Sequence, residues 1–453
     1  MTRHFDLAVL GTGSGNSIPT DGMASWSIAI VEPDVFGGTC LNRGCIPSKM
    51  FVHAADVARA VKTASTFNID ATFNGSNFPA LRDRVFGRID PIAASGEAYR
   101  RGQENVTVFD QPARFVAPST LQSGEDIFTA DRIVLAAGSR PFIPPIDGIE
   151  DVAHHTSDTI MRLDDLPPRL VVIGGGAVAS EMGHVFDALG SRVTMLLRSD
   201  RLLTSEEPEI GRALTESFRA RGLDVRSNVT ASAARNVDDE VELTLSDGST
   251  IRTDVLLLAA GRTSNGDGMS LDIGGVAVDA TNRPIVDEYM RTSAGDVWAL
   301  GDLESHHQDL KHIANAHAKS ISHNLLHPDD LIAPVVPNQP RATFTDPEVA
   351  SVGLLEAEAR EAGHHVVVGR REYGGTAYGW ALEDETSFAK VVVDAETRLI
   401  LGAHIIGPMA SILLQPLVQA MTFGQTADQV ATEMVWPHPA LTEVVENALL
   451  EAE

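Results

Sequence analysis

Short apolar runs that stop on glycine recur along this chain. Residues 5–16 read FDLAVLGTGSGN, where Leu7 to Leu10 predicts a buried β-strand and the glycines predict a tight turn. A second apolar run, SIAIVE, predicts a strand ending at Glu32. The pattern returns in RLVVIGGGAVASEMGHVFDALGSRVTMLLRSDR. There a strand over Leu170 to Ile173 meets Gly174 and Gly176, a helix through Glu181 and Phe186 ends near Gly190, and a strand covers Val193 to Leu197. IVLAAGSRP (133–141) and VLLLAAGRT (255–263) are apolar strands that break at Ala-Ala-Gly, with Gly138 and Gly261 placed to turn the backbone beneath a ligand. VWALGDLE (297–304) is another buried strand, ending at Gly301-Asp302. This alternation predicts an α/β protein with two related units.

The turns carry phosphate chemistry. Gly11, Gly13 and Gly15 let backbone N–H groups approach a pyrophosphate, and Glu32, twenty-one positions after Gly11, suits ribose hydroxyls. Asn16 stands where the pattern has a third glycine, and Pro19 interrupts a regular helix, so a short or kinked crossing helix is expected. In the second copy, Ala179 takes the third position and Arg198 replaces the acid. Arg198 and Arg201 suit a 2′-phosphate, which a carboxylate would repel. One site is thus read as taking unphosphorylated ribose and the other as taking NADP. Asp302, at a strand's carboxyl end, suits a ribityl hydroxyl.

At 453 residues, 43% hydrophobic and 21% charged, the chain has material for two to four domains. No run reaches the ~20 apolar residues that span a bilayer. MTRHFDLAVLG enters a strand at once and lacks a signal-peptide h-region, so a cytoplasmic location is expected. The net charge of −27 disfavours nucleic acid and anionic membranes as partners, and anionic ligands must rely on local basic residues.

Both cysteines lie in GGTCLNRGCIPSK (37–49). A crosslink gains little by closing so short a loop, and no further cysteine exists to complete a zinc shell. A reversible Cys40–Cys45 dithiol fits best. Five-residue spacing places side chains about 140° apart on a regular helix, so Gly38 and Gly44 are expected to distort the helix start. Cys45, before Pro47, would lie near a helix N-terminus, which favours a thiolate, and Lys49 would share its face one turn on. In WPHPALTEVVENALL, Pro439 is expected near a helix start and Glu443 one turn later, placed to orient His438; a capping histidine is the alternative. Lys311 and His312 open a predicted helix, LKHIANAHAKSISHNLL. The doublets His154-His155, His306-His307 and His364-His365 lack carboxylate or cysteine partners at ligand spacing and are read as surface or structural, with no metal.

Together the two glycine turns, GGTCLNRGCIPSK, ALGD and HPALTE resemble, in type and order, the FAD-dependent pyridine nucleotide–disulfide oxidoreductases, such as glutathione reductase and dihydrolipoamide dehydrogenase. FGRIDPIAASGEAYRR (86–101), LKHIANAHA (310–318) and YGWALED (378–384) carry a narrower resemblance to the branch that reduces mycothione. The resemblance implies two Rossmann-like dinucleotide-binding domains and a C-terminal α+β interface domain. Their expected bounds are 1–150 for FAD, 151–265 for NADP, 266–333 for a second FAD-contacting segment and 334–453 for the dimer interface. It further implies that Cys45 faces the flavin within a motif bordered by Gly38 and Thr39, and that Cys40 exchanges with substrate. Lys49 would pair with Glu181 beside the flavin, and Lys311 with His312 would lie near its pyrimidine. His438 and Glu443 would act from the partner subunit of a homodimer. The expected activity is NADPH-dependent reduction of mycothione. Alternatives are dihydrolipoamide oxidation with NAD, glutathione-disulfide reduction, dithiol-independent quinone reduction, or a non-catalytic flavin-binding role.

Overall fold

The computed structural model describes residues 2–306 and 309–453. Two compact units divide the chain: Met1–Ser48 with Ala80–Phe142 and Gly261–Val336, and Lys49–Pro79 with Ile143–Ala260 and Pro337–Glu453.

The first unit is built on a seven-stranded sheet. Its strand Arg3–Leu10 runs parallel to Ile28–Val31 on one side and Asp126–Leu135 on the other. Val106–Phe109 extends the sheet beyond Ile28–Val31, and Val297–Ala299 pairs with the end of Asp126–Leu135. Both faces are covered, which is why these strands are apolar at consecutive positions and not at alternate ones. Leu7, Val9, Ile28 and Ile30 pack towards Ile321 and Leu325, residues of helix Lys311–Leu326. Ala8, Leu10, Ala29 and Val31 pack towards Phe109 and Phe128, whose rings stack at 4.4 Å.

The crossing after the first strand holds no α-helix. It contains only the single 3₁₀ turns Gly15–Ser17 and Asp21–Met23, shorter than the interrupted helix expected. Buried Arg100 explains the turn at Asn16: its Nε donates to Asn16 Oδ1 at 2.8 Å and its Nη2 to the Asn16 carbonyl. A side chain from a distant helix thus satisfies the peptide that a regular helix would have bonded internally.

In the second unit, Asp224–Arg226, Arg192–Leu196, Arg169–Ile173 and Val255–Leu258 form a four-stranded parallel sheet in that order. Helix Ala177–Leu189 follows its glycine turn and ends at Gly190, as expected. An antiparallel three-stranded sheet covers Ala231–Val237, Glu240–Leu245 and Thr250–Thr253. A five-stranded antiparallel sheet, containing Phe388–Asp394 and Ile400–Ile406, buries Val391, Val393 and Ile405 against Leu417, Val444 and Ala448 of the C-terminal helices. The described residues therefore form two α/β parts, each with a core of parallel strands, and a C-terminal α+β part. Among the described residues no helix is long and apolar enough to cross a membrane.

Candidate active site

The first glycine turn is shaped by close backbone approach. Gly11 has φ +108°, and a Cβ there would lie 2.3 Å from the Ala136 carbonyl oxygen. Gly15 is buried against Ala136 and Val9, whereas a Cβ on Gly38 would fall 2.7 Å from the Gly13 Cα. Glu32 is buried and accepts from the Thr12 N–H at 2.9 Å and the Thr12 hydroxyl at 2.6 Å. The Thr12 hydroxyl in turn accepts from the Gly37 N–H at 3.1 Å, joining this turn to the dithiol segment. Asp302 accepts from the Ser139 hydroxyl at 2.7 Å, and Arg262 donates to that same hydroxyl at 2.7 Å. Burial pushes the Asp302 carboxyl up, while the Ser139 bond pulls it down. These residues fit FAD: a side-chain-free backbone cradle, a carboxylate placed by the turn, and a second carboxylate at a strand end.

The second turn repeats the first. Gly174 has φ +136°, and a Cβ there would lie 2.2 Å from the Ala259 carbonyl oxygen. A Cβ on Gly176 would meet nothing within 4 Å, and helix Ala177–Leu189 begins with no side-chain cap. That leaves its first N–H groups for a phosphate. Arg198 is exposed just past strand Arg192–Leu196. Arg201 is differently placed: its Nη1 donates to Asp200 at 2.9 Å, and its Cδ lies 3.0 Å from where a Cβ on Gly211 would stand. Gly138 and Gly261 both have positive φ. The chain beyond them does more than double back, because Ser139–Pro141 and Arg262–Ser264 pair with each other antiparallel.

Cys40 sits in the helical turn Gly38–Asn42, with Thr39 beside it, and Cys45 opens helix Cys45–Thr63. Arg43 and Gly44 break the helix between them, as the spacing demanded. The two sulfurs are held as a hydrogen-bonded dithiol. That bond and burial raise the Cys40 thiol above its ordinary range, while the Lys311 ammonium lowers it. Lys311 opens helix Lys311–Leu326 beside an exposed His312, and its Nζ donates to Ser14 Oγ at 2.8 Å.

One turn beyond Cys45, Lys49 Nζ lies 2.5 Å from Glu181 Oε1. The Phe344 N–H donates to that oxygen at 3.0 Å, and the Phe344 ring lies 4.2 Å beneath the ammonium. Phe51, Phe78 and Phe186 pack in series at 5.7 and 5.8 Å, fixing the separation of the two helices that carry the pair.

His438 Nδ1 lies 2.7 Å from Glu443 Oε1, whose second oxygen accepts from the Ala440 N–H at 3.3 Å. The helix begins at Thr442 and not near Pro439, so His438 stands outside it and does not cap it. With Nδ1 engaged, Nε2 of the exposed ring is left for proton exchange.

The histidine doublets do have polar partners, which corrects the expectation from spacing. His364 pairs with Asp394 at 2.9 Å, His365 with Glu396 at 2.8 Å and His306 with Glu304 at 3.2 Å. His154 and His155 bond to the Val152 carbonyl and the Thr159 hydroxyl. His307 lies outside the described residues. Sequence reading missed Thr12, Ser14, Ser139, Arg262 and Phe344. Thr12 and Ser14 lie between the glycines of the first turn and Ser139 and Arg262 follow Gly138 and Gly261, so only Phe344 had no local signal.

Comparison with known proteins gives the family. The profile "Pyridine nucleotide-disulphide oxidoreductase" matches residues 5–320, and that family's dimerisation domain matches residues 339–449. The chain is 46% identical over 457 residues to mycothione reductase of Mycobacterium tuberculosis, covering 98% of this chain and 99% of that protein. It is 34% identical over 451 residues to mercuric reductase of Streptomyces lividans, covering 97% and 94%. Its fold matches the HOCl-induced flavoprotein disulfide reductase RclA from Escherichia coli with a TM-score of 0.87, at 23% identity, covering 99% of this chain and 100% of that one. The chain belongs to the pyridine nucleotide–disulphide oxidoreductases, FAD-dependent enzymes that act on disulfides with a pyridine nucleotide as their redox partner.

Proposed function

We propose that this protein reduces mycothione to two molecules of mycothiol with NADPH. The observation that carries this reading is the full-length 46% identity to mycothione reductase of M. tuberculosis. The exposed Arg198 supports NADPH over NADH. In this reading residues 1–150 and 266–333 bind FAD, 151–265 bind NADPH and 334–453 form the homodimer interface of a cytoplasmic enzyme.

Bound FAD would carry an electron pair from NADPH to the Cys40–Cys45 disulfide. Gly11, Gly13, Gly15, Glu32, Gly38, Thr39, Gly138, Asp302, Lys311 and His312 would hold it; Gly174, Gly176, Arg198, Arg201 and Gly261 would hold the nucleotide. Lys49, fixed by Glu181, would supply positive charge to the bound flavin. Cys40, its proton taken by His438 of the partner subunit, attacks one sulfur of mycothione as a thiolate, the substrate S–S bond breaks, and the departing thiolate takes that proton back from His438 of the partner subunit. Cys45 then attacks Cys40, releasing the second mycothiol and restoring the Cys40–Cys45 disulfide. Glu443 keeps the imidazole in the required tautomer.

The test is turnover of mycothione, glutathione disulfide and lipoamide, each with NADPH and with NADH. Mycothione with NADPH should dominate; a preference for glutathione disulfide or lipoamide overturns the substrate, and faster NADH turnover overturns the nucleotide. Replacing both cysteines by serine should abolish disulfide reduction. Persistence of the main activity in that variant would instead identify a quinone reductase.

A further inference from the structure

Cys40 must act as a thiolate, yet its bond to Cys45 and its burial both oppose that charge. In the mechanism above the histidine takes the proton but leaves the negative charge on sulfur. A fixed positive group near Cys40 would stabilise it at no reorganisation cost.

Lys311 is held in such a place. Its Nζ donates to Ser14 Oγ at 2.8 Å, and that hydroxyl donates to Asn315 Oδ1 at 2.9 Å, one turn further along the lysine's own helix. Ser14 is buried and Lys311 half-buried, so the ammonium is seated and partly shielded from water. Ser14 follows Gly13, whose Cα lies 2.7 Å from the place a Cβ on Gly38 would take. Gly38 opens the helical turn that carries Cys40. One glycine-rich loop therefore clamps the ammonium through residue 14 and abuts the dithiol turn through residue 13. The Cys45 sulfur, from the helix that follows, opposes the thiolate, whereas the Lys311 ammonium and, more weakly, the Cys45 N–H favour it.

We propose that Lys311, seated by Ser14, is a positioning residue that stabilises the thiolate of Cys40 as that sulfur attacks its substrate. This rests on reading Cys40 as the attacking thiol, and is independent of which disulfide is reduced.

Replacing Cys45 by serine leaves Cys40 as the sole cysteine of the chain. In the flavin-loaded Cys45→Ser protein, alkylation by iodoacetamide is followed from about pH 5 to about pH 10, the range over which thiols ionise. Adding Lys311→Met should move the profile to higher pH and slow alkylation about tenfold at neutral pH. Lys311→Arg, which keeps the charge, should restore most of the rate, and Ser14→Ala should move the profile the same way by less. Visible absorbance reports flavin content, and Lys311→Gln is the second neutral variant where methionine costs the flavin. Superimposed profiles for the lysine and neutral variants at equal flavin content would overturn the proposal. Failure to turn over mycothione leaves this titration untouched, and a flat titration leaves mycothione reduction untouched, so the two readings fail separately.

Discussion

The Ala136 carbonyl oxygen stands where a side chain on Gly11 would begin, 2.3 Å from the Cβ position. Ala259 stands in the same relation to Gly174, at 2.2 Å. Each Ala-Ala-Gly segment therefore braces the phosphate turn of its own sheet, which explains why the two apolar runs look alike. Gly11→Ala should destabilise its unit by about 2–4 kcal/mol through strain and backbone collision, and the protein should purify with little flavin. Gly174→Ala should stay yellow but fail to bleach with NADPH under anaerobic conditions. Normal bleaching of the Gly174 variant would contradict this division of labour.

The two arginines past strand Arg192–Leu196 should not contribute equally. Arg201 is already engaged by Asp200 and packed along Gly211, whereas Arg198 is exposed. Arg198→Ala should raise KM for NADPH roughly tenfold to a hundredfold, the worth of one or two charge-assisted bonds, and leave KM for NADH nearly unchanged. Arg201→Ala should have a smaller effect. Equal losses in both variants would show that Asp200 releases Arg201 when nucleotide binds.

His317 should make the first unit acid-sensitive. Its buried Nδ1 accepts from the Gly301 N–H at 3.4 Å, and burial lowers its pKa from 6.5 to about 4. Between those values the unfolded chain binds a proton that the folded chain refuses, so stability is present above 6.5 and falls as pH drops towards 4. The loss should reach about 3 kcal/mol. His317→Asn should flatten the dependence of Tm on pH across that window; parallel curves would count against it.

Lys390 is the buried cation of the second unit. Its Nζ lies 3.1 Å from Glu207, 2.8 Å from Glu209 and 2.8 Å from Glu356. Burial opposes its charge, but the bonds to Glu209 and Glu356 prevail and push its pKa up to about 12. Lys390→Met should cost about 3–5 kcal/mol, because it strands carboxylates in a buried site. Adding Glu207→Gln should recover part of that loss in urea unfolding.

Much of this was legible from the chain itself. The strands were readable because both faces are buried, and the dithiol segment because two cysteines with flanking glycines admit few other uses. The kinked first helix was overestimated, since Asn16 is held by an arginine 84 positions away. The histidine–carboxylate pairs went unseen for a similar reason: His364 meets Asp394 only because a strand brings it there. The Lys49–Glu181 pair, 132 positions apart, was reachable by resemblance but not by spacing. The start of the His438 helix was misjudged because proline marks the neighbourhood of a helix end without choosing its first residue.

The ladder between Ser139–Pro141 and Arg262–Ser264 has a consequence for how such chains diversify. Just past its edge, the Phe142 N–H meets the Gly261 carbonyl at 2.9 Å, so the polypeptide departs and returns through adjacent doors. Everything in 143–260 is a detour with its ends already fastened. Lengthening that detour need not rethread the sheet it leaves, but shortening it to a hairpin would remove Glu181 and Glu207, the partners of Lys49 and Lys390.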